Sequence, residues 1–159
     1  MPLHQYVYFA LRSERTSAHE MTAALGIEPD ETTVRGSRIA EPAIPVCHGW
    51  KIVCREPGLR VDEQVAHVLD RLRPHTERIA ALTREPDREG ESGSSAVLQI
   101  VRYFNAVESA VETDRPSTSE RPNLFGWHLD RDVLDFLAAT GADLDVDEYD
   151  MTPNDAPEQ

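Results

Sequence analysis

The sequence has little lysine, little cysteine and no long apolar run, and each scarcity argues against a class of protein. Lys51 is the single lysine, and the arginines are scattered rather than gathered into a basic stripe. No apolar run approaches the roughly 20 residues that a membrane-spanning helix needs, and the first residues lack the basic and apolar regions of a signal peptide. We therefore expect a cytoplasmic protein that binds neither nucleic acid nor a membrane.

Cysteine spacing and the absence of catalytic motifs give no support to a metal or cofactor site. Cys47 and Cys54 agree with a reducing compartment, but six residues separate them, whereas zinc ligands usually form C-x2-4-C or H-x3-5-H pairs. The chain contains no phosphate-binding loop, dinucleotide fingerprint or G-x-S-x-G nucleophile motif. We predict no metal, no cofactor and no catalytic residue, which favours a non-catalytic protein.

Acidic residues dominate the charge. The 159 residues carry a net charge of -13, and from Asp130 onward ten carboxylates accompany the single Arg131. Such a field repels nucleic acids and anionic membranes, and it speeds association with a basic protein. The competing interpretation is that the charge serves solubility alone.

Length and apolar spacing predict a single α+β domain over residues 1–150. Strand patterns occur near residues 6–12, 34, 49–56, 96–104 and 142–148, and helical spacing near 18–25, 61–82 and 131–140. We expect two layers: a mixed or antiparallel sheet of about five strands, with three main helices mostly on one face. Polar stretches near 84–95 and 113–123 predict mobile loops, and 151–159 predicts a disordered tail.

Capping signals predict where the first two helices begin and end. Ser17 and Glu20 form an S-x-x-E capping box, and Gly26 is placed to end the first helix. Asp62 is the expected N-cap of the second helix. Pro74 should kink or restart that helix, because proline lacks the N–H that continues the hydrogen-bond ladder.

The last helix shows the same signals. Asp130 is the expected N-cap and Gly141 the expected end. The apolar positions expected to face inward are Val133, Leu134, Leu137 and Ala138.

The segment GADLDVDEYD raises the choice between a metal loop and a strand. A calcium-binding EF-hand starting at Asp143 would need glycine at its sixth position and glutamate at its twelfth, where this sequence has Glu148 and Asn154. Alternation instead places Asp143, Asp145 and Asp147 on one face of a strand, with apolar residues on the other. This acidic face is the predicted surface for a basic protein partner, and a weak cation site on it is the alternative.

A second candidate site surrounds the proline-containing loop between Arg35 and Trp50. Arginine and tryptophan are common anchors of binding surfaces, and His48 lies beside them in the sequence. This grouping gives the alternative function, a small-molecule-binding protein or enzyme with a pocket near Arg35, His48 and Trp50. The competing interpretation is structural: Trp50 fills the core and Arg35 pairs with a carboxylate such as Asp147.

The order of these motifs resembles a bacterial family catalogued as domain of unknown function 4279. The likeness covers most of residues 6–150 and is carried by LGIEP at Leu25–Pro29, RG at Arg35-Gly36, GW at Gly49-Trp50, a long leucine-spaced helix, and LDVDEY at Leu144–Tyr149. The resemblance implies no accepted activity, catalytic residue or cofactor. It suggests a toxin-neutralising immunity protein, a role that an acidic surface would suit.

Overall fold

The computed structural model describes residues 3–37, 44–84, 95–105 and 125–153. The elements, in chain order, are β1 (Leu3–Ser13), α1 (Ala18–Leu25), β2 (Glu31–Thr33), β3 (His48–Cys54), α2 (Val61–Leu72), α3 (Thr76–Arg84), β4 (Ser95–Phe104), α4 (Arg131–Thr140) and β5 (Asp143–Asp150). A short 3-10 turn at Arg73–His75 separates α2 from α3. The predicted loops near 84–95 and 113–123 and the predicted tail 151–159 lie largely outside the described residues.

The strands form one mixed sheet in the order β2-β3-β1-β4-β5. Neighbours among β2, β3, β1 and β4 are antiparallel, whereas β5 runs parallel to β4. Phe9 lies opposite both Ile52 and Leu98, and Leu98 lies opposite Leu144. The predicted α+β class with a mixed sheet is confirmed, and β5 forms one edge of that sheet.

All four described helices pack against one face of the sheet, which we call the helix side. Alternate residues of β1, including Val7, Phe9 and Leu11, join the inward residues of the helices in one hydrophobic core. Residues between them in sequence point to the opposite face, which we call the open face. None of the described helices is long and apolar enough to cross a membrane.

The predicted ends of the first and last helices are confirmed. The Ser17 Oγ accepts a hydrogen bond from the Glu20 N–H at 3.2 Å, and the Ser17 N–H donates to the Glu20 carboxylate at 2.7 Å. Asp130 caps α4 by accepting the N–H of the third helical residue at 3.0 Å. Gly26 and Gly141 end the two helices with φ of 72° and 67°, a conformation that favours glycine.

The second helix begins differently from the prediction. Its N-cap is Arg60 rather than Asp62, and Val61 is the first helical residue. The reason is that the Glu63 carboxylate accepts the Arg60 N–H at 2.7 Å, which fixes the start of the helix two residues earlier. The interruption predicted at Pro74 is confirmed, since the chain passes through the 3-10 turn before α3.

The inward face of α4 is rotated from the predicted one. Leu134 and Ala138 are exposed, whereas Phe136 and Thr140 are buried beside Val133 and Leu137. The Phe136 ring meets the Phe9 ring edge to face, with centroids 5.7 Å apart. The sequence offered two overlapping apolar stripes, and contact with the sheet selects the one that carries the aromatic ring.

Candidate functional site

All four tyrosines of the chain lie on the open face of the sheet. Tyr6 and Tyr8 come from β1, Tyr103 from β4 and Tyr149 from β5. The rings of Tyr103 and Tyr149 stack with centroids 5.1 Å apart, and Tyr103 also stacks on His4 at 6.0 Å. The Tyr6 and Tyr8 rings stand 6.2 Å apart. These side chains form an aromatic row across three adjacent strands.

One end of this row already holds cations from the chain itself. The Lys51 Nζ lies 4.4 Å from the centre of the Tyr8 ring, and the Arg55 guanidinium lies 4.3 Å from that of Tyr6. Burial lowers the pKa of Lys51, whereas the hydrogen bond to Glu31 raises the pKa of Arg55. Among the described residues, no such cation lies over the other two tyrosines of the row.

The other end of the row is acidic. Asp143, Asp145 and Asp147 lie on the open face of β5, where Asp147 accepts a hydrogen bond from the Gln99 amide at 3.0 Å. Burial raises the pKa of Tyr103, and the negative charge of Asp147 adds to that effect. Asp147 therefore stands next to the stacked tyrosine pair, and Asp145 and Asp143 continue the acidic face away from it along β5. Beside Asp147, carboxylate charge and aromatic faces both attract cations.

The predicted strand over the aspartate segment is confirmed, but its second face is not buried. Leu144 and Val146 lie on the helix side beside Leu98 and Ile100, yet they are 41% and 37% exposed. β5 is the last strand of the described sheet, and the helices cover these two side chains less fully than those of the central strands. Within the described parts of the chain, no group of three or more histidine, cysteine, aspartate or glutamate side chains is placed to hold a metal ion.

A buried arginine joins the acidic strand to the core. Arg102 of β4 is only 3% exposed, and its guanidinium donates to Gln5 Oε1 at 3.1 Å and to the Glu148 carboxylate of β5 at 2.9 Å. The Gln5 amide in turn donates to the Leu59 carbonyl at 2.8 Å. The Gln64 amide of α2 donates to the Gln5 carbonyl at 3.2 Å. This polar chain ties β5 to α2 on the helix side.

Trp50, a predicted binding residue, lies wholly inside the core. It has no exposed surface, and its indole N–H donates to the Thr22 hydroxyl of α1 at 3.1 Å. An indole needs one such partner when it is buried. Trp50 therefore has no surface through which it could contact a ligand directly.

Arg35, the other predicted residue of this region, anchors the chain after β2. Its guanidinium donates to the Glu14 carbonyl at 3.0 Å, and its backbone N–H donates to His48 Nδ1 at 3.1 Å. The suggested pairing with Asp147 is wrong, because β2 and β5 lie at opposite edges of the sheet. The predicted site residues thus fall into two regions that the sheet keeps apart.

A cavity of about 430 Å³ lies beside α1, close to these groups. Its polar lining comes from the start of α1, the loop after it, β2 and β3, and comprises Ser17, His19, Thr22, Glu28, Thr32 and His48. Arg35 and Trp50 are not in this lining, although both bond to residues that are. Of the three residues predicted for a pocket, only His48 faces it.

The match to a family model covers nearly the whole described fold. The model of a domain of unknown function, DUF4279, matches residues 3–151. The chain belongs to this family. No curated protein and no solved structure is significantly similar to it.

Two short motifs that this DUF4279 chain carries have structural explanations. Gly36, in the RG pair, has φ of 75°, a left-handed conformation that glycine adopts without strain. Gly49, in the GW pair, has little room for a side chain, because an added Cβ would lie 3.2 Å from the Thr33 Cβ of β2. Both glycines therefore shape the backbone of this DUF4279 domain.

Sequence reasoning missed the tyrosines and the buried arginine of this DUF4279 chain. The strand patterns near 6–12 and 96–104 include Tyr6, Tyr8, Tyr103 and Arg102 but indicate no role for them. The alternation of each strand gave the face of each tyrosine, but only the pairing of β1, β4 and β5 brings the rings together. The one available signal was the two-residue spacing of Tyr6 and Tyr8, which places both rings on the same face of β1.

Proposed function

We propose that this chain is a non-catalytic, cytoplasmic binding module whose acidic strand β5 holds a basic segment of another protein. The observation that carries this proposal is that Asp147 lies beside the stacked rings of Tyr103 and Tyr149, with Asp145 and Asp143 farther along the same face of β5. Within the described chain, no cation of its own occupies these rings. A guanidinium from a partner would there meet an aromatic face and a carboxylate together.

The overall charge supports the same partner. A net charge of -13 steers a basic protein toward the surface and slows the approach of another acidic protein. An immunity-like role is the specific form of the proposal, with a basic toxin as the partner. Because Asp143 and Asp145 are exposed, the attraction between the acidic face and a basic partner should weaken as added salt shortens the screening length.

The test is a pull-down of the tagged protein from its own cell lysate at low and high salt, with captured proteins identified by mass spectrometry. The face variant carries Asp143→Lys, Asp145→Lys and Asp147→Lys. The control variant reverses three exposed acidic residues elsewhere, Glu14→Lys, Glu77→Lys and Asp135→Lys, so that both variants have the same net charge.

A basic protein retained at low salt by the wild type and the control, but not by the face variant, supports the proposal. Equal loss from both variants would show that net charge alone matters. Capture that is insensitive to salt and to the face variant would contradict the proposal.

The cavity beside α1 favours a second candidate function, small-molecule binding near Arg35, His48 and Trp50. Its volume of about 430 Å³ falls within the range of small-ligand sites. A ligand that binds there should raise the melting temperature of the wild type and not of His48→Ala. A metabolite screen by thermal shift measures this, and a stabilising ligand that acts equally on both proteins would argue against this cavity.

A further inference from the structure

The outer edge of β5 is the feature that the proposed function leaves unused. β5 stands last in the sheet, so its eight residues pair with β4 on one side and with no described strand on the other. An edge of this kind presents backbone N–H and C=O groups that another strand can bond. The second edge of the sheet, β2, is only three residues long.

The direction of each backbone group on β5 follows from one hydrogen bond beyond its end. The Met151 N–H donates to the Phe104 carbonyl of β4 at 2.8 Å, so residue 151 points toward β4. The pairing of β4 with β5 is continuous and has no bulge. Since successive residues of a strand point their backbone groups in opposite directions, Leu144, Val146 and Glu148 direct N–H and C=O outward.

The same alternation sorts the side chains of this edge. The aspartates lie on the open face, and Leu144 and Val146 lie half-exposed on the helix side. A strand added to the edge would place its side chains on these two faces in turn. Basic residues would then stand beside the aspartates, and apolar residues would cover Leu144 and Val146.

We propose that the partner binds by adding an extended strand of alternating basic and apolar residues to the outer edge of β5. This proposal rests on the proposed function for the charge of the partner and adds the binding mode and the sequence pattern. Backbone hydrogen bonds to Leu144, Val146 and Glu148 would supply affinity, and the alternating side chains would supply specificity.

A second copy of this chain is a poor occupant of the same edge. Pairing β5 with β5 would bring Asp143, Asp145 and Asp147 of one copy alongside those of the other on the open face. Like charges placed opposite each other across a ladder are destabilising, and both copies carry a net charge of -13. Charge complementarity therefore selects a basic strand from a different protein.

The test uses two eight-residue peptides of identical composition, each with acetylated and amidated ends. One alternates arginine and valine, and the other carries four arginines followed by four valines. Both have the same charge, but only the alternating peptide can place all its arginines beside the aspartates. Two further peptides are the alternating one with methyl groups on every second backbone nitrogen, one methylated at the arginines and the other at the valines. Methylation removes the N–H donors that a strand needs.

We expect the alternating peptide to bind about tenfold more tightly than the peptide with four arginines followed by four valines. One of the two methylated peptides should lose this advantage, because it lacks the N–H groups that face β5. Calorimetry measures the affinities, and amide hydrogen exchange in the complex should show slower exchange at Val146. On the protein, Val146→Pro removes one outward donor without touching the bonds to β4, and Val146→Thr retains that donor as the control.

The outcomes separate this proposal from the proposed function. One outcome is that the two unmethylated peptides bind equally well to the wild type and fail to bind the triple variant Asp143→Asn/Asp145→Asn/Asp147→Asn. That result would overturn strand addition and would still support the acidic face as the binding surface. Tight binding that no methylated peptide weakens would also overturn strand addition. Failure of every arginine peptide to bind would count against both. Strand addition would be supported if the wild type and the Val146→Thr protein bind the alternating peptide more tightly than its isomer and the Val146→Pro protein does not.

Discussion

Replacing Glu148 with alanine tests whether β5 is held through the buried Arg102. In the folded protein the Arg102 guanidinium is almost fully buried and donates to the Glu148 carboxylate at 2.9 Å. Glu148→Ala removes this carboxylate and leaves the guanidinium with Gln5 and its other contacts. We expect a clear loss of stability, measured as the free energy of unfolding in urea.

The size of the loss follows from the unequal burial of the two partners. Removing one partner of a fully buried ion pair costs about 3–5 kcal/mol, whereas exposed pairs are worth about 1 kcal/mol or less. The Arg102 side chain is 4% exposed and that of Glu148 is 49% exposed, so water can partly replace the carboxylate. We expect a loss of about 1–3 kcal/mol, or roughly 0.5–1.5 M in the urea midpoint for a slope near 2 kcal/mol per M.

Two comparisons decide whether the loss comes from this contact. Asp145→Ala, on the same strand but on the open face, should change stability by no more than about 0.5 kcal/mol. Glu148→Ala made in an Arg102→Met background should cost little, because no buried charge remains to be compensated. The reasoning is refuted if Glu148→Ala matches Asp145→Ala, or if it costs the same with and without Arg102.

Three further predictions concern the backbone and the helix ends. Gly49→Ala should cost about 1–3 kcal/mol in urea unfolding because the new Cβ would press on Thr33, whereas Gly126→Ala, with open space around it, should be nearly neutral. Asp130→Ala should cost about 1 kcal/mol through loss of the α4 cap, and a change below the error of the fit would contradict its role. The backbone hydrogen bond from Ser17 at the α1 cap lowers the pKa of Glu20 in the folded protein. The ionised Glu20 carboxylate therefore stabilises the fold fully above its pKa in the unfolded chain, and this stabilisation is lost as pH falls through its lower pKa in the folded protein. The wild type should therefore lose more stability than Glu20→Gln between about pH 6 and about pH 3, and parallel losses would refute this.

Local signals predicted the parts of the fold that depend on neighbours in sequence. Ser17 and Asp130 cap their helices because a side-chain oxygen reaches an N–H three residues ahead, a distance that sequence spacing encodes. The acidic face of β5 likewise followed from alternation alone. Errors arose where two local solutions competed, as between Arg60 and Asp62 at the start of α2.

Features that depend on strand pairing could not be predicted in this way. Tyr103 meets Tyr149 only because β4 and β5 pair in parallel with that register. Arg102 reaches Gln5 across 97 positions of sequence. The exposure of Leu144 follows from the edge position of its strand, which the sequence of the strand does not encode.

The separation of aromatic types between the two faces makes this protein its own optical reporter. All four tyrosines lie on the open face, whereas Trp50 lies inside the core and Trp127 packs against it. Fluorescence excited at wavelengths that only tryptophan absorbs therefore reports on the core between the sheet and the helices. Tyrosine absorbance reports on the open face of the sheet. A ligand on the open face should change the tyrosine signal while the tryptophan emission stays constant, and unfolding should change both.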